Sequence, residues 1–290
     1  MNFPPTAPAK INLFLHVGSA RADGYHPLES LVAFANVGDD LQFAPGGDAF
    51  SIYVSGEHAK AAGEPEKNLV LKAANALKRR RPELRGGQFS LTKNLPAGAG
   101  LGGGSSDAAA ALRLIAESNA ISISDPALFE AARQTGADVA VCIERKARLI
   151  SGIGEILSEP IAIPPLHAVL VWPGTPASTP SVYRAFDEAE MRRATEFGIR
   201  ANEIPQQHGA FLEFLAKQNN DLTRAAWQVT PHVAEVEATL RAVDRTRLIR
   251  MSGSGSAVFA IYESEADAQT EAGKIRARYP DWWVKATTLR

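Results

Sequence analysis

A glycine-rich segment in the middle of the chain constrains the fold more than any other feature. Five of the seven residues from Gly98 to Gly104 are glycine, and the alanine- and leucine-rich stretch over 107–116 that follows predicts a buried helix. Glycine lets the backbone adopt positive φ angles and approach a ligand closely. A helix N-terminus adds free N–H groups and the positive end of its dipole. Because a plain turn needs only one or two glycines, the segment predicts an anion site, with phosphate as the expected anion.

The residues around this segment argue against three common nucleotide-binding motifs. Residues 98–103 match the dinucleotide fingerprint, but the helix runs into residues 117–119 and another helix, without the second strand and acidic residue of a Rossmann unit. A Walker A loop requires Gly-Lys-Ser/Thr, whereas Gly104 precedes two serines. Neither His-Arg-Asp nor Asp-Phe-Gly of the protein kinases occurs. A second glycine–serine loop, residues 252–256, is alone typical of a hairpin turn, but with the first loop it is a candidate to close a phosphate site.

Composition limits the remaining classes of protein. The formal net charge of −1 argues against nucleic acid as the main partner. The single cysteine, Cys142, excludes an internal disulfide framework and fits a reducing compartment. No stretch approaches 18 consecutive apolar residues, and Met1–Pro5 lacks the basic start of a secretory signal. We therefore expect a soluble cytoplasmic protein without a membrane partner.

Local patterns predict strands and helices in both halves of the chain. The predicted strands cover residues 10–17, 50–54, 89–92, 138–143, 167–172, 247–249 and 257–261. The predicted helices cover residues 68–80, 107–116, 126–134, 205–217, 231–242 and 265–279. In the first strand the odd-numbered apolar residues should face the core, which leaves Lys10, Asn12 and His16 on the other face. Three prolines between 160 and 165 predict a boundary between two α+β domains, residues 1–160 and 161–290.

Three motifs in order give the chain its resemblance to a known family. They are Pro8–Leu13, Pro96–Ser106 and Met251–Phe259. With these motifs the chain resembles the GHMP kinase superfamily, the small-molecule kinases of homoserine, galactose, mevalonate and related alcohols. Further markers of one member extend the resemblance over nearly the whole chain: Arg21–His26, Gly102–Asp107, Gly136–Val139, Thr179–Tyr183 and Asn219–Leu222. The resemblance implies an α+β fold, with a left-handed βαβ unit in an N-terminal ATP-binding domain and a ferredoxin-like C-terminal domain.

The same resemblance implies a reaction. ATP, entering as its Mg²⁺ complex, is the expected phosphoryl donor, and a small molecule is the expected acceptor. The additional markers imply that the acceptor is a methylerythritol linked to cytidine diphosphate, phosphorylated on its 2-hydroxyl for non-mevalonate isoprenoid biosynthesis. The sequence assigns no metal ligand, with Ser106 only a candidate, and it does not determine the oligomeric state.

The resemblance also assigns roles to individual residues. It implies that Asp138 is the base and Lys10 its cationic partner; without it, Asp138 would be read as a turn cap and Lys10 as a solvated surface residue. The residues expected to bind ATP are Asn68, Pro96, Ala97, Gly98, Ala99, Gly100, Leu101, Gly102, Gly103, Gly104, Ser105 and Ser106. Those expected to bind substrate are Asn12, Tyr25, His26, Thr179 and Tyr183.

Several of these roles have alternatives. Asn68 is equally well placed as a helix N-cap. Tyr25 and Tyr183 are expected to sandwich cytosine while His26 bonds its edge, although half-buried packing explains each tyrosine alone. Three other functions stay open: a kinase of a base-free alcohol, such as a mevalonate or homoserine kinase, a nucleotide-binding oxidoreductase, and a non-catalytic ATP-binding module. The aromatic residues favour an acceptor that carries a base, and the Lys10–Asp138 combination favours a catalyst.

Overall fold

The computed structural model describes residues 6–189, 197–243 and 245–290. The strands are β1 Ala7–Asn12, β2 His16–Val17, β3 Leu28–Pro45, β4 Phe50–Ser55, β5 Gly87–Thr92, β6 Arg148–Ser151, β7 Ile156–Leu157, β8 Leu166–Trp172, β9 Thr246–Met251, β10 Val258–Tyr262 and β11 Trp283–Leu289. The helices are α1 Leu69–Arg80, α2 Gly103–Ser118, α3 Pro126–Thr135, α4 Val139–Glu144, α5 Thr179–Glu188, α6 His208–Ala216, α7 Thr223–Val229, α8 His232–Arg241 and α9 Glu265–Arg278. The expectation about Met1–Pro5 lies outside the described residues.

By packing, the chain divides into two compact units. The first consists of Met1–Lys10, Asn36–Ala97 and Gly102–Arg145, and the second of Ile11–Ala35, Gly98–Leu101 and Lys146–Arg290. The chain therefore passes from one unit to the other five times: within β1, within β3, at the start of the glycine-rich segment, within that segment, and after α4. This division is interleaved in sequence, whereas a boundary near residue 160 divides the chain into consecutive halves, and that boundary stays a prediction.

The first unit combines a small sheet with a group of helices. Residues 40–45 of β3 pair antiparallel with β5, and β4 pairs parallel with β5. Helix α1 packs against α2 and α3, and α2 packs against α4. The start of α1 is fixed by Asn68, whose side chain accepts a hydrogen bond from the Val70 N–H at 2.9 Å. The apolar face of α1 is buried, as the spacing of its alanines and leucines predicts.

The second unit contains an antiparallel sheet with the strand order β11-β8-β10-β9. Two parts of the chain cross between strands of this sheet: α5 to α8 between β8 and β9, and α9 between β10 and β11. This is the order of a βαββαβ, ferredoxin-like domain, which confirms that expectation. Helix α9 packs on β8, β10 and β11, and buried apolar residues of α5, α7, α8 and α9 share one core with the sheet.

The predicted strand over 138–143 is wrong, because this segment forms helix α4. Every residue from Val139 to Ile143 is buried. A short run that is apolar on all sides has neither the period of a strand nor that of a helix, so its pattern cannot distinguish the two. Asp138 consequently stands at the N-terminus of a helix and not at the end of a strand.

The single strand predicted over 10–17 is also wrong. β1 ends at Asn12, and the chain resumes pairing as β2 at His16. The expected alternation of burial is absent, because β1 is buried along its whole length and Lys10 and Asn12 are only 4% and 3% exposed. Alternation requires one face of a strand to be solvated, and neither face of this strand is.

None of the helices in the described part of the chain is both long enough and apolar enough to cross a membrane. The cytoplasmic location stays a prediction.

Candidate active site

In the first unit, Lys10 and Asp138 form an ion pair, with 2.9 Å between Lys10 Nζ and Asp138 Oδ2. The lysine side chain is only 5% exposed, so it is not a solvated surface residue, whereas the aspartate side chain is 37% exposed. A buried ammonium group requires such a partner. Among the described residues, the Asp138 side chain makes no capping hydrogen bond to α4. The pair thus combines a fixed cation with a carboxylate that a ligand can reach.

Helix α4, which carries Asp138 at its N-terminus, is held at its other end by Arg113. The Arg113 guanidinium donates hydrogen bonds to the carbonyl oxygens of Cys142 at 2.9 Å and Ile143 at 3.3 Å. Burial lowers the pKa of Arg113 to about 10, so the side chain stays charged at neutral pH. Cys142 is fully buried, and burial also raises the pKa of its thiol to about 12, as in a packed small residue.

The N-terminus of α2 lies against the Lys10 side chain. Gly102, the residue before the helix, has a φ of 63°, and a Cβ there would stand 3.0 Å from Lys10 Cβ and 3.1 Å from Lys10 Cε. Glycine is needed at this position for both reasons. With no cap side chain at Gly102, the first N–H groups of α2 are available to an anion. Ser106, in the same first turn, has a fully buried hydroxyl that finds no hydrogen-bond partner among the described residues.

A buried charge cluster supports this turn. Lys93 Nζ contacts Asp39 and lies 2.7 Å from Asp107 Oδ2, and all three side chains are at most 6% exposed. The other oxygen of Asp39 accepts hydrogen bonds from the N–H groups of Asn94 at 2.6 Å and Leu95 at 2.8 Å. Burial raises the pKa of the Asp107 carboxyl to about 8, against the opposing effect of Lys93. The cluster thereby ties the residues that enter the glycine-rich segment to the helix that leaves it.

In the second unit, Ser252 joins the second glycine–serine loop to the glycine-rich segment. Its hydroxyl donates to the carbonyl oxygen of Gly100 at 2.9 Å and accepts from the Asn12 N–H at 3.2 Å. The Ala257 N–H donates to the carbonyl oxygen of Ala99 at 2.8 Å. The two loops are thus hydrogen-bonded to each other, and the role of the second loop in closing a phosphate site stays a prediction.

The residues expected to bind the base lie in the second unit. Tyr25 is 59% exposed, whereas His26 is buried and its ring centroid lies 4.9 Å from that of Tyr183 at an interplanar angle of 45°. The Thr179 hydroxyl is 2.8 Å from the Ser254 hydroxyl, which places the start of α5 beside the second glycine–serine loop. The Asn12 side-chain amide donates to the Ser30 hydroxyl at 2.8 Å.

Sequence reasoning assigned no role to two residues that organise these groups, Asp187 and Asn220. Asp187 Oδ1 lies 3.0 Å from His26 Nε2. The Asn220 side chain donates to the carbonyl oxygens of Met251 and Gly253, both at 2.8 Å, and so fixes the loop that contains Ser252. Asp187 follows Tyr183 by four residues on α5, the spacing of one helical face, and this was the available signal.

Comparison with known proteins identifies the class. The description "GHMP kinases N terminal domain" matches residues 68–146, and "GHMP kinases C terminal" matches residues 206–281. A crystal structure of homoserine kinase from Cytophaga hutchinsonii, 17% identical, covers 97% of this chain with a TM-score of 0.64 and so shares its fold. The fold and the site thus define a GHMP kinase, with the two-domain α+β architecture that the motifs implied.

Closer relatives identify the family. The 4-diphosphocytidyl-2-C-methyl-D-erythritol kinase of Methylorubrum extorquens is 47% identical over 98% of this chain and 97% of its own length. The kinase of the same name from Xanthobacter autotrophicus is 46% identical over 98% of both chains. A crystal structure of 4-(cytidine 5'-diphospho)-2C-methyl-D-erythritol kinase, 34% identical, covers 98% of this chain and 97% of its own with a TM-score of 0.77. The chain belongs to the 4-diphosphocytidyl-2-C-methyl-D-erythritol kinase family.

Proposed function

We propose that the protein transfers the γ-phosphoryl group of ATP to the 2-hydroxyl of 4-diphosphocytidyl-2-C-methyl-D-erythritol, a step of non-mevalonate isoprenoid biosynthesis. The observation that supports this chemistry is the Lys10–Asp138 ion pair, whose lysine lies against Gly102, the residue before α2. The relatives that bear this name at 46–47% identity support the choice of acceptor.

In the proposed reaction, the partly exposed Asp138 carboxylate accepts the proton of the acceptor hydroxyl. The oxygen of that hydroxyl bonds to the γ-phosphorus, and the bond from phosphorus to the β–γ bridging oxygen breaks, which releases ADP. The Lys10 ammonium stabilises negative charge on the attacking oxygen and on the phosphoryl group. The N–H groups at the start of α2 hold the nucleotide phosphates. Asn68 already caps α1, and its contact with adenine remains a prediction.

Mg²⁺ would enter with ATP and neutralise phosphate charge. The described residues contain no group of three or more His, Cys, Asp and Glu side chains suited to a metal. That composition fits an ion carried largely by phosphate oxygens, which is usual for Mg²⁺. The Ser106 hydroxyl, which has no hydrogen-bond partner among the described residues, is our candidate for a ligand of the ion.

The proposed function is tested by ADP release over a panel of alcohols, with and without a cytidine diphosphate group. We expect turnover with 4-diphosphocytidyl-2-C-methyl-D-erythritol and little with methylerythritol, mevalonate or homoserine. Turnover confined to a base-free alcohol would assign the protein to another GHMP kinase activity. Absence of ADP release with every alcohol, despite ATP binding, would leave only a binding module.

Replacing Tyr25 by alanine should raise the KM for the cytidylated acceptor and leave the KM for ATP unchanged. Stacking of a base on an aromatic ring contributes about 1–3 kcal/mol in single-strand binding, and this scale predicts an increase of about 5- to 150-fold. The matched control is Tyr53→Ala, since Tyr53 on β4 is 63% exposed, much like Tyr25. An effect of Tyr25→Ala on ATP alone would remove Tyr25 from the acceptor site.

Replacing Gly100 by alanine should raise the KM for ATP about tenfold or more. Gly100 has a φ of 76°, where a side chain costs about 1–2 kcal/mol. The added Cβ would also collide with the Ser252 carbonyl oxygen and stand 2.9 Å from that of Gly255, both of which are backbone atoms. In the control Gly46→Ala, the Cβ meets no atom within 4 Å. An unchanged KM for ATP in a folded Gly100→Ala protein would exclude this loop from the ATP site.

A further inference from the structure

We propose that Asp187 determines which base the acceptor carries: it holds the His26 imidazole in the tautomer that selects cytosine over uracil. This inference rests on the proposed function, in which His26 meets the edge of the base. Asp187 acts through His26 and so is a positioning residue for recognition, separate from the phosphoryl transfer.

The tautomer follows from the contact between the two side chains. Asp187 Oδ1 lies 3.0 Å from His26 Nε2. An ionised carboxylate can only accept hydrogen bonds, so Nε2 must carry the proton. In a neutral imidazole the other nitrogen, Nδ1, is then an acceptor.

The ring is also fixed in orientation, and by the same helix. Tyr183 packs on it at a centroid distance of 4.9 Å, and Phe186 meets it edge-on at 6.2 Å and 71°. Both residues and Asp187 belong to α5. The first residue of this helix, Thr179, is hydrogen-bonded to Ser254 in the second glycine–serine loop. The His26 side chain is only 6% exposed, so its ring has little freedom to turn and exchange its two nitrogens.

A fixed Nδ1 acceptor distinguishes the two pyrimidines. Cytosine presents an exocyclic amine, a donor, where uracil presents a carbonyl oxygen, an acceptor, as in the corresponding T·A and C·G edges of DNA. Nδ1 can accept a hydrogen bond from the cytosine amine. With uracil, two acceptors, Nδ1 and the carbonyl oxygen, would face each other without a proton between them. A site with a buried polar group of one kind rejects the analogue that leaves this group unpaired. Asp187 therefore supplies selectivity without contact to the base.

The test compares acceptors that differ only in the base, cytidine or uridine diphosphate linked to the same methylerythritol. For the wild-type protein we expect a ratio of kcat/KM values that favours cytidine about tenfold or more. Asp187→Asn should lower that ratio about tenfold. The asparagine amide can donate to Nε2, which permits the tautomer in which Nδ1 carries the proton. The change should appear in the KM for the acceptor, with the KM for ATP unaltered. Asp187→Glu, which keeps the carboxylate, should restore part of the preference.

The histidine tautomer itself provides a readout that loss of packing alone would not produce. With ¹⁵N-labelled histidine, the ring-nitrogen shifts assigned by comparison with His26→Gln should report Nε2–H in the wild-type protein and a mixture in Asp187→Asn. If Asp187→Asn keeps both the tautomer and the preference for cytidine, the inference is overturned while the proposed function stands. If the wild-type protein fails to phosphorylate the cytidylated acceptor, the proposed function fails and the inference with it.

Discussion

Replacement of Asp138 by alanine is expected to lower kcat about 10²–10⁴-fold while ATP binding persists, the usual scale for the loss of a general base. The Asp138 carboxylate can accept a proton, and it lies 2.9 Å from the Lys10 ammonium. The phosphates are expected to contact a different part of the first unit, the N-terminus of α2, so their binding should survive. Single-turnover kinetics with saturating ATP, together with a separate measurement of ATP affinity, would check both expectations.

Two further variants separate the chemistry from the ion pair. Asp138→Asn keeps the size of the side chain and an oxygen that Lys10 can bond, but it cannot take up a proton, so it should lose kcat over the same range. The control Glu130→Ala removes a carboxylate from another ion pair of the first unit, with Arg80, whose N–O distance is 3.0 Å. It should retain normal turnover. Near-normal kcat in Asp138→Asn would rule out Asp138 as the base.

The elements that the sequence predicted well are those with local signals at both ends. Helix α1 begins after the capping Asn68 and ends in basic residues, and α3 begins at a proline after Asp125, whose side chain caps it. The 18-residue strand β3 lacked such signals. It contains Gly38, where a Cβ would stand 2.6 Å from Pro8 Cα. Glycine is required at this position because β1 approaches it closely, and no local sequence pattern indicates that contact.

The same distinction separates the predicted site residues from the missed ones. Lys10, Asp138 and the glycine-rich segment belong to motifs, which mark chemistry directly. The contacts that orient side chains join remote positions: His26 and Asp187 are 161 residues apart, and Asn12 and Ser252 are 240 residues apart. A hydrogen bond across such a separation leaves no periodicity in either segment. Only the four-residue spacing of Tyr183 and Asp187 on α5 offered a clue.

Replacement of Lys93 by methionine is expected to lower the free energy of unfolding by about 3–5 kcal/mol, the cost of removing one partner from a buried ion pair. Asp39 and Asp107 would then lie around a methionine and lack the cation they share. Both side chains are at most 4% exposed. Methionine fills a similar volume, so loss of packing should contribute little. Urea unfolding of the full chain, followed by a signal from the first unit, would measure the loss.

The double variant Lys93→Met/Asp39→Asn determines whether charge is the cause. Asparagine at position 39 is neutral, but its side-chain oxygen can still accept the N–H groups of Asn94 and Leu95. The double variant should therefore be more stable than Lys93→Met alone, a non-additivity expected of residues in direct contact. If both proteins unfold at the same urea concentration, the unpaired charge on Asp39 is not the cause of the loss. A recovery in the double variant would instead show that the unpaired charge on Asp39 causes the loss, and that Lys93 stabilises the residues entering the glycine-rich segment by neutralising that charge.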